Sequence, residues 1–220
     1  MSADLLQTDH ILLTGPTGRN SEFGGKTATA TWFADNPART RDLVIFLNTK
    51  QDPVDDVLED YTEVATVQDA ADAIADGARR VIITPMDPDW AAVSERLEGF
   101  IRALGSDLGS KVVILDEVPE LDEDAVLSFV RVHGNGANCQ AILIAQSPTD
   151  VSTSIVKQTS PAWVGPMKSD YKSWFETHDK GPAYRYIAKN QGPYEWTVVT
   201  GDGPGDWEHY PAVPERYAPP

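Results

Sequence analysis

Residues 24–27, Gly24-Gly25-Lys26-Thr27, end a glycine-rich stretch that lies between an apolar run and a helical pattern. In such a turn the backbone N–H groups can converge on a phosphate, the lysine can reach the terminal phosphates, and the threonine hydroxyl can bind Mg²⁺. This ending fits the Walker A pattern G-x-x-x-x-G-K-[ST], although Asn20 stands where that pattern has its first glycine. The stretch therefore predicts either a lengthened phosphate-binding loop or a glycine-rich turn beside a helix.

On the first interpretation, the phosphate site comprises five consecutive residues: Gly24, Gly25, Lys26, Thr27 and Ala28. We expect Thr27 to bind the metal as well, and Lys26 to be an exposed loop residue that contributes little to the core.

Two carboxylates, Asp116 and Glu117, directly follow the apolar run 112–115. Ligands of an open parallel sheet bind at the carboxyl ends of its strands, and adjacent carboxylates at a buried strand end are costly unless a cation or polar groups compensate them. We therefore predict that Asp116 holds Mg²⁺ through water and that Glu117 orients and deprotonates an attacking water. The alternative is a strand that runs into an acidic loop.

Gln146 ends the next apolar run, 141–145, so we expect it beside Asp116, where it can sense a γ-phosphate or position water. A second motif, Thr49-Lys50-Gln51-Asp52, matches the pattern that reads guanine in GTPases. It follows the second predicted strand rather than a late one, and no glycine follows Asp116 at the GTPase spacing. We interpret this match as coincidence.

Apolar, β-branched runs alternate with helical patterns along the chain, which predicts βα crossovers and a mainly parallel sheet. The predicted strands are 10–14, 42–48, 80–86, 111–117, 140–146 and 162–167, and the predicted helices are 26–34, 53–61, 67–78, 89–104, 122–133, 152–158 and 169–178. Residues 183–200 predict a β-hairpin around Gln191-Gly192. We expect one three-layer α/β domain over 1–200 and an irregular tail over 201–220.

The composition is strongly acidic, with 18 Lys and Arg against 34 Asp and Glu, for a net charge of −16. This predicts either a protein that avoids nucleic acid or adaptation to high salt, where the Debye length falls to about 3 Å and screens the repulsion. We favour the second, because a composition rich in Asp and poor in Lys, here 22 Asp against 12 Glu with only eight Lys, resembles that of proteins from salt-loving archaea. Segment 151–193 is the exception, with six basic and three acidic side chains, either by chance on a solvated face or as a binding surface.

A single cysteine, Cys139, excludes an internal disulfide and a multi-cysteine metal site. There is no apolar run of membrane-spanning length and no signal-peptide pattern at the start, so the sequence predicts a cytoplasmic protein without a membrane span.

The stretches "ILLTG…GGKT", "VVILDE" and "AILIAQSPTDVSTSIVKQ" together resemble the FtsK–HerA superfamily of DNA-pumping ATPases. The resemblance covers roughly residues 10–180 and is strongest to the small genome-packaging ATPases of membrane-containing icosahedral viruses. It implies a P-loop (RecA-like, ASCE) NTPase fold, ATP and Mg²⁺ as ligands, and Gln146 near the γ-phosphate. With the composition, it points to a virus of a halophilic archaeon.

The chain departs from this family in two features: its Walker A loop is long, and it lacks the family's arginine before the glutamine-ended strand. Many members carry a Gly-Arg pair before the glutamine-ended strand, and that arginine reaches into the neighbouring subunit's site. Here the matching pair is Gly134-Asn135. Arg131 is the nearest substitute, either as such a finger or as a solvated helix arginine.

The resemblance implies an oligomeric ring that drives double-stranded DNA into a capsid, with capsid vertex or portal proteins as partners. The expected location is the host cytoplasm or the packaging vertex of the virion. A P-loop kinase and a nucleotide-binding scaffold with little hydrolysis remain as alternatives. A kinase would need an arginine-rich lid, which the sequence does not suggest.

Overall fold

A computed structural model of the chain describes residues 10–15, 25–35, 41–50, 58–86, 88–105, 107–136, 138–165, 171–177, 181–190, 195–199 and 207–210. Gly24 and the rest of the loop 16–24 lie outside the described residues, as do residues 53–57 of the predicted helix 53–61. The other predicted site residues are described.

The described strands form one sheet in the order β3-β4-β2-β5-β6-β1-β7-β8-β9. Every neighbouring pair from β3 through β7 is parallel, whereas β8 pairs antiparallel with β7 and with β9. The strands are β1 (His10–Thr14), β2 (Leu43–Leu47), β3 (Thr62–Val64), β4 (Arg80–Ile83), β5 (Lys111–Leu115), β6 (Cys139–Ala145), β7 (Thr159–Val164), β8 (Trp196–Val199) and β9 (Trp207–Tyr210).

Helices cover both faces of this sheet, which gives the three-layer α/β fold expected from the alternating pattern. They are α1 (Lys26–Asp35), α2 (Val67–Ala75), α3 (Trp90–Leu104), α4 (Glu123–Gly136), α5 (Thr153–Val156), α6 (Lys172–Thr177) and α7 (Gly181–Asn190). Because side chains alternate along a strand, β2 sends Leu43, Ile45 and Leu47 into a core with α2 to α7. It sends Val44 and Phe46 into a second core with α1.

The order of the central strands sets the geometry of the candidate site. β6 lies between β1 and β5, and β2 lies on the other side of β5. Since these four strands are parallel, their carboxyl ends meet along one edge of the sheet, in the order β2, β5, β6 and β1.

The C-terminal part differs from the prediction. Residues 183–190 belong to α7 rather than to the first strand of a hairpin, and Ala183 and Ile187, four residues apart, are buried on one helical face. The antiparallel C-terminal pair is instead β8 with β9. β9 lies in the tail that was expected to be irregular.

Two smaller differences concern the first half of the chain. β3 was not predicted, because its three residues are exposed or half-buried and carry no apolar run. Of the predicted helix 53–61, the structure describes residues 58–61, where Leu58 is in a 3₁₀ helix and the next residues form a turn and a bend. None of the helices in the described part of the chain has the length and apolarity that a membrane span requires.

Candidate active site

The carboxyl ends of the four central strands are joined by backbone hydrogen bonds just beyond the strands. The Gly15 N–H donates to the Ala145 carbonyl at 3.3 Å, and the Asp116 N–H donates to the Leu47 carbonyl at 3.2 Å. Gly15, the residue after β1, therefore lies next to the end of β6, and Asp116 lies next to the end of β2. Every predicted site residue that follows one of these strands is thus on the same edge.

Helix α1 begins at Lys26, after Gly25 in a left-handed conformation with φ of 101°. This backbone conformation favours glycine, and the Gly25 carbonyl accepts from the Thr29 N–H at 2.8 Å, which closes the first helical turn. Lys26 was expected to be exposed, but it is 5% exposed. Its ammonium donates to the Gly15 carbonyl at 2.5 Å, because the chain on either side of the loop comes together above β1.

Burial and a second cation shift the protonation of this lysine. Burial, followed by the ammonium of Lys50, lowers the pKa of Lys26 to about 8, against the opposing pull of the Glu117 and Asp116 carboxylates. These four charges therefore form one electrostatic cluster. Lys26 becomes easier to deprotonate than an ordinary lysine, and a phosphate would restore its charge.

Thr27 and Ala28 are the next residues of α1. Thr27 is half-buried, and its carbonyl accepts from the Thr31 hydroxyl at 2.9 Å. Ala28 is 6% exposed. Both lie in the first turn of the helix, where backbone N–H groups have no partner within the helix and can bind anions. Their roles toward phosphate and metal stay predictions.

Asp116 and Glu117 follow β5 directly, as predicted, and are 2% and 7% exposed. Glu117 has left-handed backbone angles, φ 46° and ψ 61°, and precedes the 3₁₀ turn Val118–Glu120. A non-glycine residue in this conformation is uncommon, and such strain concentrates at functional sites. The backbone thus turns away sharply at the residue predicted to be the general base.

The structure adds one residue that the sequence analysis discounted, Lys50. Its ammonium lies 3.2 Å from Oδ1 of Asp116 and 2.8 Å from Oε1 of Glu117. The contact to Asp116 is an aligned hydrogen bond, whereas the contact to Glu117 is an ion pair without that alignment. The one signal in the sequence was that Lys50 follows the apolar run 43–47; the pairing of that strand with β5 comes from the structure.

The pKa values of Asp116 and Lys50 are both shifted by their surroundings. Burial raises the pKa of Asp116, the neighbouring Glu117 carboxylate adds to the rise, and Lys50 opposes it. Burial acts to lower the pKa of Lys50, but Asp116 and Glu117 raise it above its ordinary value. The ammonium of Lys50 is therefore held in its charged form beside the pair.

Gln146 lies at the same edge as the carboxylates, whereas Arg131 does not. Gln146 is exposed and comes immediately after β6, between the ends of β1 and β5, as predicted. Arg131 is exposed and lies in the second half of α4, the helix that runs from the carboxyl end of β5 back to the start of β6. The fold therefore does not bring Arg131 to the edge where Lys26, Lys50 and the two carboxylates gather.

The donor atoms at this edge suit Mg²⁺. Asp116 and Glu117 offer carboxylate oxygens and Thr27 offers a hydroxyl, the hard ligands that Mg²⁺ takes together with substrate phosphates. Among the described residues there is no group of three His, Cys, Asp or Glu side chains that could hold a metal by themselves.

No family model and no curated protein sequence matches the chain. Among solved structures, it is similar to the genome packaging NTPase B204 from Sulfolobus turreted icosahedral virus 2 in complex with AMPPCP. The TM-score is 0.71 and the identity 13%, over 94% of this chain and 99% of that one. B204 of Sulfolobus turreted icosahedral virus, described as a DNA-packaging ATPase, matches with a TM-score of 0.69 and 15% identity, over 93% of this chain and 98% of that one.

Larger proteins share the same fold over part of their length. The pCW3 conjugation coupling protein TcpA with ATPγS matches 94% of this chain with a TM-score of 0.52 and 14% identity, and the match covers 60% of its own chain. EccC (ATPases 2 and 3) from Thermomonospora curvata matches 93% of this chain with a TM-score of 0.55 and 13% identity, over 38% of its own chain. At these identities the likeness is one of fold, and the chain therefore has the P-loop NTPase fold that these viral packaging NTPases and larger ATPases share.

Proposed function

We propose that this protein is an oligomeric, Mg²⁺-dependent ATPase that translocates double-stranded DNA during viral genome packaging. The observation that carries the proposal is the meeting of Lys26 with the Asp116–Glu117 pair at one edge of a parallel sheet. Strand β6, which Gln146 follows, lies between β1 and β5, and both carboxylates are close enough to Lys26 to affect its pKa. A phosphate-binding lysine, a metal-binding carboxylate and a general base are the parts that ATP hydrolysis requires.

Lys26 would bind the β- and γ-phosphates when its ammonium leaves the Gly15 carbonyl. The backbone at Gly24, Gly25 and the start of α1 would surround the same phosphates. Asp116 and Thr27 would hold Mg²⁺, which when bound neutralises charge on the phosphates. Asp116 would act through water, as its place at the strand end suggests.

Glu117 is the proposed general base. It accepts a proton from the attacking water in our account, and its carboxylate, buried after β5, has little bulk water competing for it. Gln146 would contact the γ-phosphate or the attacking water from the end of β6. Arg131 would act in a neighbouring subunit, since it is exposed and lies away from the site of its own chain.

We propose that the subunits form a homo-oligomeric ring that acts on double-stranded DNA. Capsid vertex or portal proteins would be further partners, and the ring would work in the host cytoplasm or at the packaging vertex of the virion. The similar structures support this, because B204 is described as a genome packaging NTPase and a DNA-packaging ATPase. Segment 151–193 also supports it, because Lys157 and Arg185 are exposed there. The excess of Asp supports a halophilic archaeal virus as the source.

The test is ATP hydrolysis by the purified protein in molar KCl with Mg²⁺, measured without nucleic acid, with linear double-stranded DNA and with RNA of equal length. Lys26→Met supplies the background rate. We expect hydrolysis that double-stranded DNA stimulates. A kinase would instead need a small acceptor and ignore DNA, and a scaffold would bind ATP with turnover no higher than that of Lys26→Met.

A further inference from the structure

The buried carboxylates of the candidate site are already paired with a cation that belongs to the chain. Side chains of Asp116 and Glu117 are 4% and 9% exposed, and that of Lys50 is 23% exposed. The ammonium of Lys50 contacts both carboxylates, at 3.2 and 2.8 Å. It therefore supplies the compensation that two adjacent buried carboxylates need.

The backbone holds Lys50 in this place. β2 and β5 are in register up to Leu47 opposite Leu115, so the residues after each strand leave the sheet side by side. The Thr49 hydroxyl donates to the Asp116 carbonyl at 2.8 Å. The Asn48 side-chain amide contacts the Thr84 hydroxyl at 3.4 Å. Lys50 thus follows two residues that are tied to neighbouring strands, and its position is built into the sheet edge.

The charges at this edge decide when a divalent cation can enter. The two positive charges of Lys26 and Lys50 balance the two negative charges of Asp116 and Glu117 in the nucleotide-free protein. The other three groups are close enough to Lys26 to shift its pKa. Adding a divalent cation alone would leave an excess of positive charge in a mostly buried cluster, which is unfavourable. A nucleoside triphosphate brings negative phosphates that both ammonium groups and the metal can share.

We propose that Lys50 is the resident counter-ion of the Asp116–Glu117 pair and that it makes divalent-cation binding at this site conditional on nucleotide. Lys50 releases Asp116 when the metal–nucleotide complex binds and stays near Glu117, to which it lies closer. It is a positioning residue in this role. The inference rests on the proposed function for the identity of the nucleotide, a nucleoside triphosphate.

The test uses nucleotide-free protein and needs no hydrolysis. Thermal unfolding of wild type and Lys50→Met is followed as MgCl₂ is added, with KCl adjusted to keep the ionic strength constant. Lys172→Met is the matched control, because Lys172 and Glu176 form an ion pair at 3.5 Å in which both side chains are more than half exposed. Lys50→Arg keeps the charge, and Lys50→Gln removes it but keeps a polar side chain.

We expect Lys50→Met and Lys50→Gln to be less stable than wild type without Mg²⁺ and to be stabilised by Mg²⁺ alone. Their apparent Mg²⁺ affinity should be at least about tenfold tighter than that of wild type, read from the concentration dependence of Tm. The Tm of wild type, Lys50→Arg and Lys172→Met should change little when Mg²⁺ is added without nucleotide. Equal responses in wild type and the two uncharged variants would overturn the inference, and so would failure of both variants to fold at every Mg²⁺ concentration.

The outcomes separate this inference from the proposed function. If wild type hydrolyses ATP and the uncharged variants respond to Mg²⁺ as wild type does, the counter-ion role alone is wrong. If those variants gain Mg²⁺ affinity while wild type hydrolyses no ATP, the counter-ion role stands and the proposed function is wrong.

Discussion

The ammonium of Lys26 donates a hydrogen bond to the carbonyl oxygen of Gly15 at 2.5 Å. The residue that follows β1 and the first residue of α1 are therefore in contact, although eleven positions separate them in the sequence. This contact closes the base of the segment that departs from the Walker A spacing. Extra residues in that segment thus leave the lysine at the end of β1, where a phosphate-binding lysine is needed.

The first prediction concerns the pH dependence of stability. The pKa of Lys26 is lowered to about 8 from an ordinary value of 10.5, so between these values the unfolded chain binds more protons than the folded protein. Stability must then rise with pH across this window. Relative to Lys26→Met, nucleotide-free wild type should gain up to about 3 kcal/mol between pH 7.5 and 10.5.

Chemical denaturation of both proteins at several pH values measures this difference. Taking the difference between the two proteins cancels the titration of the lysines that do not interact with Lys26. A stability difference that stays constant or falls as pH rises would contradict the burial of a charged Lys26.

A pair of glycine substitutions tests the packing of the opposite edge of the sheet. Gly109 has a φ of 67°, and a Cβ there would collide with the carboxylate of Asp42, which accepts hydrogen bonds from the Ser110 N–H and hydroxyl at 2.8 and 3.0 Å. Gly109→Ala should destabilise the protein by about 1–2 kcal/mol, the cost of a side chain in the left-handed region.

Gly99 is the matched control for that substitution. It lies within α3, and a Cβ there meets no atom within 4 Å. Gly99→Ala should stabilise the protein by about 0.5–1 kcal/mol through helix propensity. Equal effects of the two substitutions in thermal unfolding would show that the backbone at Gly109 is not as described.

The central strands could be predicted because they are buried on both faces. β2 is apolar throughout, β5 and β6 contain the apolar runs 112–115 and 141–145, and the polar residues after these runs lie at the edge of the candidate site. Cys139, one residue before the predicted strand 140–146, is the first residue of β6 and is buried. By contrast, β3 could not be predicted, since its partner β4 and not its own composition makes it a strand.

The site could be predicted in part. Asp116, Glu117 and Gln146 follow their strands as expected, because the order of parallel strands carries that information. Lys50 could not be found by its motif, which resembled a guanine-binding pattern, since its place beside Asp116 and Glu117 depends on which strand neighbours β5. The burial of Lys26 could not be predicted either, because it depends on the contact with Gly15, which the sequence motif does not specify.

Arg131 provides the third prediction. If it acts in the neighbouring subunit's site, Arg131→Ala should lower turnover by about 10³-fold or more with little effect on ATP binding. Arg96→Ala is the control, because Arg96 is an exposed arginine of α3 with no proposed role.

Mixing experiments show whether the arginine acts in trans. Arg131→Ala subunits keep an intact phosphate site, and Lys26→Met subunits keep Arg131, so mixed assemblies should regain part of the activity that each lacks alone. Normal turnover of Arg131→Ala, or no recovery on mixing, would show that Arg131 is not a trans-acting finger.

The fourth prediction concerns salt. A net charge of −16 should destabilise the protein in dilute buffer and repel both DNA and neighbouring subunits. DNA binding normally weakens as salt rises, but we expect relief of repulsion during assembly to dominate. Thermal stability and DNA-stimulated ATP hydrolysis should both rise from about 0.1 M to above 1 M KCl. Maximal stability and activity in dilute buffer would disprove the halophilic interpretation.

The most direct test of the central claim compares Glu117→Gln with Glu120→Gln for ATP binding and single-turnover hydrolysis. Glu117 is buried and directly follows Asp116, whereas Glu120 is exposed and lies three residues later, at the end of the 3₁₀ turn. Each variant therefore removes one carboxylate from the same segment, but only Glu117→Gln removes a buried one. We predict that Glu117→Gln binds ATP but hydrolyses it at least about 10²-fold more slowly, while Glu120→Gln is unchanged. Normal hydrolysis by Glu117→Gln, or an equal loss in both variants, would contradict the assignment of this edge as the site of ATP hydrolysis.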